Sequence, residues 1–356
     1  MPAHPVLVEV TRSGFVESFH RGALAIVDAG GALHTALGDI ERPVFPRSAV
    51  KVMQALPLVA SGAAERLGLG DEELAIACAS HNGEAAHAAT AAGMLAKAGL
   101  DATALECGAH WPMWDVAGRA LAATGAQPGA LHNNCSGKHS GFVCLGCLMA
   151  AAEGRDARAF LSGYVQPDHP LMREVTAALQ AATGYDLARA PVGTDGCNIP
   201  TFGVPLRHLA HGFARIGSGQ GLSPGHAAAA ARLRRAVAAA PFMVAGTGRF
   251  DTRAMEALGE RLFCKVGAEG VYGAALPELG LGVALKMDDG NNARAAEVVM
   301  AAVAAALLPQ AAPLQPAQAA LLADLAAPTL RNWNGTVVGG LRGAEALQAA
   351  LPAVAA

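Results

Sequence analysis

Segments that favour β-strands lie near both ends of the chain, and segments that favour helices fill the middle. Residues 6–10 alternate, and residues 23–27 and 32–37 flank an Asp-Ala-Gly-Gly turn that is typical of a hairpin. Short β-compatible runs return at residues 262–266, 271–276 and 282–287. The order predicts a mixed fold of the α+β or α/β class without regular βαβ alternation. An antiparallel sheet would form from both chain ends, with a helical insertion between them.

The apolar spacing predicts helices over residues 48–62, 84–98, 114–124, 139–153, 171–183, 224–239 and 291–308. Residues 71–80 contain a short strand-like apolar run, residues 217–225 are rich in Gly and Ser, and residues 309–316 suggest a loop. Residues 330–340 suggest an irregular or strand segment. We expect a single unit over residues 1–356. Its sheet subdomain would cover about 1–45 and 245–350, and its helical subdomain about 46–244.

The composition excludes several classes of protein. Lys and Arg (26) do not exceed Asp and Glu (29), so the chain lacks the basic excess of a nucleic-acid binder. The most apolar run, residues 298–308, is shorter than the roughly 20 residues of a membrane span. We therefore expect neither nucleic acid nor membrane as a partner. The odd number of cysteines, 7, together with the absence of a signal-peptide pattern, favours reduced thiols in a cytoplasmic protein.

Ser48 and Lys51 are spaced to share one face at the start of a helix. A serine hydroxyl is a weak nucleophile that needs a base, and a lysine can act as that base once it is neutral. Burial or a nearby cation lowers a lysine pKa in that direction. The pair is thus a candidate nucleophile and base, although a four-residue pattern of common residues also arises by chance.

Two further polar segments interrupt apolar surroundings. Ser80-His81-Asn82-Gly83-Glu84 could line a pocket or simply cap a helix. Residues 132–141 form the densest polar cluster, and we interpret them as a loop that binds a substrate amide or caps a helix. Cys135, Lys138 and His139 of this cluster could contact a metal, but lysine is a poor metal ligand unless it is deprotonated.

Three other features are weaker when each is considered alone. Asp195 could hold a substrate ammonium or could belong to an ordinary Asp-Gly turn. Cys197 could pair with Cys135 as a zinc thiolate, although the two lack Cys-x-x-Cys spacing. Cys144 and Cys147 have that spacing but lie in an apolar run, which favours buried core thiols. Lys265, at a strand end before a Gly-rich segment, could approach a ligand or could protect an edge strand.

Considered together, these motifs resemble those of the class 3, Rhizobium etli-type L-asparaginases, also called the asparaginase II family. The resemblance covers about residues 5–345. The motifs that carry it, in chain order, are Arg47-Ser48-x-x-Lys51, Ser80-His81-x-Gly83-Glu84, Cys135-Ser136-Gly137-Lys138-His139, Asp195-Gly196-Cys197 and Lys265-x-Gly267-Ala268-Glu269-Gly270.

The resemblance implies a fold similar to serine β-lactamases, penicillin-binding proteins and glutaminases, and hydrolysis of L-asparagine to L-aspartate and ammonia. It implies two Ser–Lys tandems, which are Ser48 with Lys51 and Ser80 with Lys265. It also implies a zinc ion and three neighbouring substrate-site residues. The implied zinc ligands are Cys135, Lys138 and Cys197, and the neighbouring residues are Arg47, His139 and Asp195. A homodimer is implied in the same way.

The mechanism expected from the resemblance is attack by Ser48 with neutral Lys51 as base, while Ser80 and Lys265 relay protons or orient Ser48. Asp195 would hold the substrate ammonium, and zinc would orient the substrate; zinc-activated hydroxide is the competing mechanism. Two alternatives remain open. One is a β-lactam- or glutamine-directed serine hydrolase of the same fold, and the other is a non-catalytic zinc- or amino-acid-binding protein.

Overall fold

The computed structural model describes residues 4–351 and contains one large sheet with two small two-stranded sheets. The strands in chain order are β1 Val6–Arg12, β2 Phe15–Asp28, β3 Leu33–Leu37, β4 Pro43–Val44, β5 Val192–Thr194, β6 Pro200–Phe202, β7 Val204–Pro205, β8 Phe263–Val266, β9 Val271–Leu276, β10 Leu281–Met287, β11 Thr329–Arg331 and β12 Val337–Gly343.

The large sheet has eight strands in the order β11-β12-β1-β2-β10-β9-β8, with β3 paired to β2. Every pair among these described strands is antiparallel. β2 is 14 residues long, and its first half pairs with β1 while its second half pairs with β10 and β3. The antiparallel sheet predicted from both chain ends is therefore confirmed. The finer prediction of a β-lactamase- or glutaminase-like fold, and the subdomain boundaries, stay predictions.

Sixteen α-helices lie within the described residues. In chain order they are α1 Lys51–Gln54, α2 Leu56–Ala60, α3 Ala63–Arg66, α4 Asp71–Ala77, α5 Ala85–Lys97, α6 Asp115–Ala123, α7 Ser136–Ala152, α8 Ala157–Leu161, α9 Pro170–Thr183, α10 Leu206–Ser218, α11 Pro224–Ala239, α12 Pro241–Val244, α13 Phe250–Leu258, α14 Glu297–Ala311, α15 Pro316–Ala326 and α16 Glu345–Ala350.

Helix α10 packs directly on the middle of the sheet, against β2, β9 and β10. The approach is so close that a Cβ atom at Gly282 would lie 2.0 Å from Ala210 O, so only glycine fits at this position. Almost every residue of β9 and β10 is buried, which requires cover on both faces, and α14 supplies further contacts to β1, β9 and β12. The sheet is therefore a buried platform rather than a solvent-facing one.

Several expectations about local structure are wrong. The strand-like run at residues 71–80 is mostly helix α4, and α10 occupies a stretch for which no helix was predicted. The segment over residues 132–141 is not a loop throughout, because α7 begins at Ser136. The loop expected from residue 309 begins only after Ala311, since Pro309 lies inside α14.

A π-helical turn, Asn292–Ala296, runs into α14, and the two together extend from Asn292 to Ala311. By length and composition alone this 20-residue stretch could cross a membrane, which corrects the shorter run seen in the sequence. Within its most apolar window, 56% is buried inside the molecule, as in the core helix of a globular fold.

Candidate active site

The segment around Ser48 begins with an unusual backbone conformation. Arg47 has a φ of +51°, which costs about 1–3 kcal/mol in a residue with a side chain. A 3-10 turn over Arg47–Val50 follows and runs directly into α1. Ser48 is half-buried, whereas Lys51 is 1% exposed. The two residues therefore lie in consecutive helical turns at the entrance to a helix, as their spacing predicts.

Lys51 connects Ser80 with the cysteine motif. Its Nζ atom donates hydrogen bonds to the main-chain oxygen of Ala79, to Ser80 Oγ at 2.9 Å and to Cys135 Sγ at 3.1 Å. Ser48 Oγ is not among these partners. The amine that the resemblance pairs with Ser48 is thus hydrogen-bonded to the second candidate serine. Three predicted site residues from separate segments come into direct contact here.

Ser80 lies in the irregular segment between α4 and α5, and a neighbouring segment fixes its position. The Ser80 N–H donates to Val244 O at 2.9 Å, and the Asn82 N–H donates to Ala245 O at 2.8 Å. Thr247 donates from its N–H and its hydroxyl to the Glu84 carboxylate, at 2.8 and 2.7 Å. Residues 244–247, which the sequence did not single out, therefore hold Ser80 in place.

Cys135, Lys138 and Cys197 come together, although 59 residues separate Lys138 from Cys197. Lys138 Nζ donates to Cys197 Sγ at 2.9 Å, and all three side chains are buried. A hydrogen bond from the Cys197 thiol and the positive charges of Lys51 and Lys138 lower the pKa of Cys135 well below its usual range. The surroundings of Cys135 therefore favour its thiolate form over the thiol.

The donor atoms of this cluster suit a zinc ion. The two cysteine sulfurs are ligands that zinc prefers, and the Lys138 amine can add a nitrogen ligand once it is neutral. Three protein ligands leave a fourth position of a tetrahedral site open. Zinc binding would require Lys138 to lose its proton. The neighbouring Cys197 and Cys135 oppose this loss, because they raise the pKa of Lys138 although its burial acts the other way. Among residues 4–351, nowhere do three His, Cys, Asp or Glu side chains converge as metal ligands. Lysine would therefore have to complete any such site.

Asp195 lies in the turn between β5 and β6 and forms an ion pair with Arg47. Arg47 Nε donates to Asp195 Oδ1 at 2.7 Å, and the Gly196 N–H donates to the same oxygen at 2.7 Å. The nearby charges of Lys138 and Arg47 lower the pKa of this carboxyl despite its burial. Both hydrogen bonds use Oδ1, and no hydrogen bond to Oδ2 is formed within the described residues. Asp195 and Arg47 are brought together with the serine and cysteine motifs.

Lys265 is fully buried on β8. Burial lowers its pKa to about 7, and the charge of Lys51 acts in the same direction while that of Asp251 opposes it. Its Nζ atom donates to Val266 O at 2.9 Å, and Ser80 is not among its hydrogen-bond partners. The strand extension beyond Lys265 packs on the Ser48 segment, because a Cβ at Gly267 would lie 2.6 Å from Pro46 O.

His139 is fully buried beside Lys138. Its Nδ1 atom is 2.6 Å from the Tyr164 hydroxyl, which in turn accepts a hydrogen bond from the Glu106 N–H at 3.0 Å. If the hydroxyl donates to Nδ1, the proton of the ring resides on Nε2, and Nε2 has no hydrogen-bond partner among the described residues. Burial lowers the pKa of His139 well below its usual range, so the ring is neutral and offers one N–H donor.

Tyr164 and Asp251 are buried polar residues near the site that the sequence did not single out. Tyr164 is one of only 3 tyrosines in the chain. A tyrosine within such an apolar sequence is expected to be buried, and a buried tyrosine hydroxyl usually has a hydrogen-bond partner. Asp251 carries no such signal, because it follows Arg249-Phe250 in an ordinary amphipathic helix.

A family model described as L-asparaginase II matches residues 8–343. No curated protein matches the chain significantly. The matched range includes every candidate site residue described above, from Arg47 to Lys265.

Proposed function

The chain belongs to the L-asparaginase II family, and we propose that it hydrolyses L-asparagine to L-aspartate and ammonia. The family match supports an amidohydrolase, and we further propose the class 3, Rhizobium etli type. One observation carries the proposal beyond family membership. A buried lysine, Lys51, is hydrogen-bonded both to a serine, Ser80, and to a cysteine, Cys135, and a second serine, Ser48, lies one helical turn before it.

In the proposed mechanism, Ser48 Oγ attacks the side-chain amide carbon of asparagine. Lys51, in its neutral form, takes the hydroxyl proton, and a proton passes to the amide nitrogen as ammonia leaves. Water then hydrolyses the acyl-serine ester and releases aspartate. Ser48 is half-buried and therefore more accessible to a substrate than Ser80, which is 5% exposed, and this supports Ser48 as the nucleophile. The hydrogen bond from Lys51 to Ser80 makes Ser80 the second candidate for that role. Ser80 and Lys265 relay protons and orient the pair.

The substrate ammonium is proposed to bind Asp195 Oδ2, the oxygen left free by Arg47 and Gly196. Arg47 holds the carboxylate in place and carries positive charge beside Ser48. The unpartnered Nε2–H of His139 is a candidate donor to a substrate oxygen. These three residues would bind substrate rather than exchange protons with it.

We also propose that Cys135, Lys138 and Cys197 hold a zinc ion. When bound, zinc would supply a fixed positive charge that orients the substrate. The test is zinc stoichiometry and competition with a chromophoric chelator, which do not depend on activity. The Cys197→Ser variant is expected to lose zinc, and Cys147→Ser, a half-buried thiol outside the cluster, is the matched control. Equal zinc affinity in Cys197→Ser and the native chain would contradict this assignment.

The activity is tested by ammonia release from L-asparagine and L-glutamine and by hydrolysis of a penicillin. We expect the highest kcat/KM for L-asparagine. A higher kcat/KM for glutamine or the penicillin would favour the alternative serine hydrolases. No ammonia release from either amide by a folded, zinc-supplemented chain, together with tight amino-acid binding, would favour a non-catalytic binding protein.

The nucleophile is tested by quenching the enzyme with L-asparagine in acid and mapping the acylated peptide by mass spectrometry. The adduct is expected on the peptide that contains Ser48. Ser48→Ala should abolish the adduct, whereas Ser80→Ala should retain it in reduced amount. An adduct on Ser80, or near-normal turnover by Ser48→Ala, would reverse the two roles.

We propose that the protein functions in the cytoplasm as a homodimer. All seven cysteines are free, as expected in a reducing compartment, and Phe15, Phe19 and Trp333 are exposed apolar side chains at one end of the sheet. Sedimentation velocity tests the dimer. A single species of one-chain mass at micromolar concentration would contradict it.

A further inference from the structure

A buried acidic side chain, Asp251, lies behind Lys265 and has no place in the mechanism so far. Asp251 is 1% exposed and belongs to the first turn of α13, opposite β8. Moving a carboxylate out of water costs several kcal/mol unless charged and hydrogen-bonding partners compensate it. The contacts of Asp251 therefore indicate what it does.

Both carboxylate oxygens of Asp251 are engaged by groups on β8, the strand that carries Lys265, and on its neighbour β9. The Val266 N–H donates to Oδ2 at 3.2 Å, and Lys265 Nζ lies 3.8 Å from the same oxygen. The Tyr272 hydroxyl donates to Oδ1, and Tyr272 pairs with Val266 across β8 and β9. The Val266 N–H and the Tyr272 hydroxyl thus hold the Asp251 carboxylate in place beside the Lys265 amine.

The Lys265 amine is held between two oxygens that belong to this arrangement. It donates to Val266 O at 2.9 Å and faces Asp251 Oδ2. Asp251 is the nearest acidic group to act on Lys265, and it opposes the effects of burial and of Lys51. The ionisable and charged groups that face Lys265 or Asp251 are Lys51, Cys78, Cys135, Arg249, Cys264, Tyr272 and Glu297.

We propose that Asp251 is a positioning residue for Lys265: together with Val266 O, it fixes the place of the buried lysine amine on β8. A carboxylate at this distance also favours the charged form of the amine. Tyr272 acts with Asp251 by holding the second carboxylate oxygen. Asp251 touches neither serine and acts through Lys265 alone. Only the predicted effect on kcat rests on the proposed function. The effect of Asp251 on Lys265 can be measured without turnover.

The first measurement is an NMR titration of the lysine side chains, with Lys265→Met to assign the Lys265 signal. In the native chain the Lys265 amine is expected to titrate near neutral pH. In Asp251→Asn it should titrate at a pH lower by about one unit or more, since a negative charge that favours the ammonium is gone. An unchanged Lys265 titration in a folded Asp251→Asn variant would overturn the proposal, whatever the substrate.

The second measurement is the kinetic profile with L-asparagine. Asp251→Asn should lower kcat by about ten- to a hundredfold with little change in KM, because a displaced amine impairs the reaction more than binding. In the pH–kcat profile of Asp251→Asn, the limb at acidic pH should move to lower pH, in step with the titration of Lys265. In a Lys265→Met background, Asp251→Asn should cause no further loss of kcat. A full additional loss there would show that Asp251 does not act through Lys265.

Tyr272→Phe keeps the ring that packs on Phe250 and removes only the hydroxyl that holds Asp251. It provides the test if Asp251→Asn does not fold. We expect a several-fold loss of kcat that disappears in the Lys265→Met background, and Asp324→Asn, an exposed carboxylate on α15, is the surface control. Native kcat in folded Tyr272→Phe would contradict the proposed role of the hydroxyl.

If the native chain itself lacks activity, the proposed function fails while the titration still decides the role of Asp251.

Discussion

Candidate site residues could be named from the sequence, but the contacts between them could not. Polar residues are scarce in this chain, so the short polar motifs stand out, and the structure brings Arg47, Lys51 and Ser80 into one site. The pairing differs from the expected tandems because Lys51 reaches Ser80, a contact between residues 29 positions apart. Such a contact depends on where the segment after α4 lies relative to α1, which no local pattern encodes.

The pH dependence of turnover provides a prediction at the residue scale. Lys265 has a pKa of about 7, and the neutral amine is the form that can accept a proton. We therefore expect kcat to be maximal above pH 7 and to fall as the pH drops below it, because the amine becomes charged. A pH–rate profile checks this, with circular dichroism at each pH to confirm folding. A flat profile down to pH 5.5 would exclude a neutral Lys265 from the mechanism.

Glu297, at the start of α14, provides a prediction about stability. Burial, and the neighbouring Asp251 carboxyl, raise its pKa from 4.5 to about 7. The folded state thus holds this proton more tightly than the unfolded state, so the free energy of unfolding decreases as the pH rises from about 4.5 to 7. Glu297→Gln stays neutral at every pH. It should match the native stability near pH 4.5 and exceed it by about 2–3 kcal/mol above pH 8.

Urea denaturation at pH 4.5, 6 and 8 measures this difference. Glu345→Gln, an exposed residue at the start of the short helix α16, is the matched control and should show no such trend. Equal stability of Glu297→Gln and the native chain at pH 8 would mean that Glu297 is not held in an unfavourable environment.

At the scale of elements, helices with clear end signals were predicted well and short buried runs were not. Helix α11 matches its prediction because Ser223 accepts a hydrogen bond from the His226 N–H and Pro224 occupies the first turn. Helix α4 resembled a strand because a short apolar run has no decisive period, although Asp71, Glu72 and Glu73 mark a helix start. Helix α10 was missed even though Leu206, Leu209, Ala210 and Phe213 have helical spacing.

The close packing of α7 on α4 gives a prediction at this scale. A Cβ atom at Gly137 would lie 2.4 Å from Ile76 O, so Gly137→Ala must push apart the helix start that carries Lys138. We expect a loss of about 1–3 kcal/mol in the free energy of unfolding, with weaker zinc binding and lower kcat. Gly93→Ala in α5 is the control, since nothing lies within 4 Å of its Cβ position.

The Gly93 control should be stabilised by about 0.5–1 kcal/mol, because alanine restricts the unfolded chain and favours helix. Urea denaturation of both variants separates the steric effect from helix propensity. If Gly137→Ala were as stable as Gly93→Ala, the contact between the start of α7 and Ile76 would not constrain the site.

At the scale of the whole molecule, the strands at the two chain ends depend on each other. The order of strand and helix signals predicts that the ends share a sheet, but it does not predict which strands are neighbours. The structure places β12 beside β1, with Val8 opposite Gly343 and Arg12 opposite Gly339. Gly339 is needed there because a Cβ would lie 1.8 Å from Thr11 O. These pairings join residues more than 300 positions apart, so the sheet cannot be completed until nearly the whole chain is present.

This dependence predicts the effect of removing the last elements. A chain that ends at residue 328 lacks β11, β12 and α16, and it therefore loses the hydrogen bonds to β1 and the buried side chains of Leu341 and Leu347. Each buried leucine contributes about 1.5–3 kcal/mol, and a domain of this kind has only about 5–15 kcal/mol in total. We expect the shortened chain to expose apolar surface and to lose cooperative unfolding, even though every proposed catalytic residue lies before residue 328.

A chain that ends at Leu351 keeps all described elements and is the control. Urea denaturation and binding of a hydrophobic dye compare the two chains, and a native-like transition in the shorter one would mean that residues 4–328 form a stable fold without the C-terminal strands.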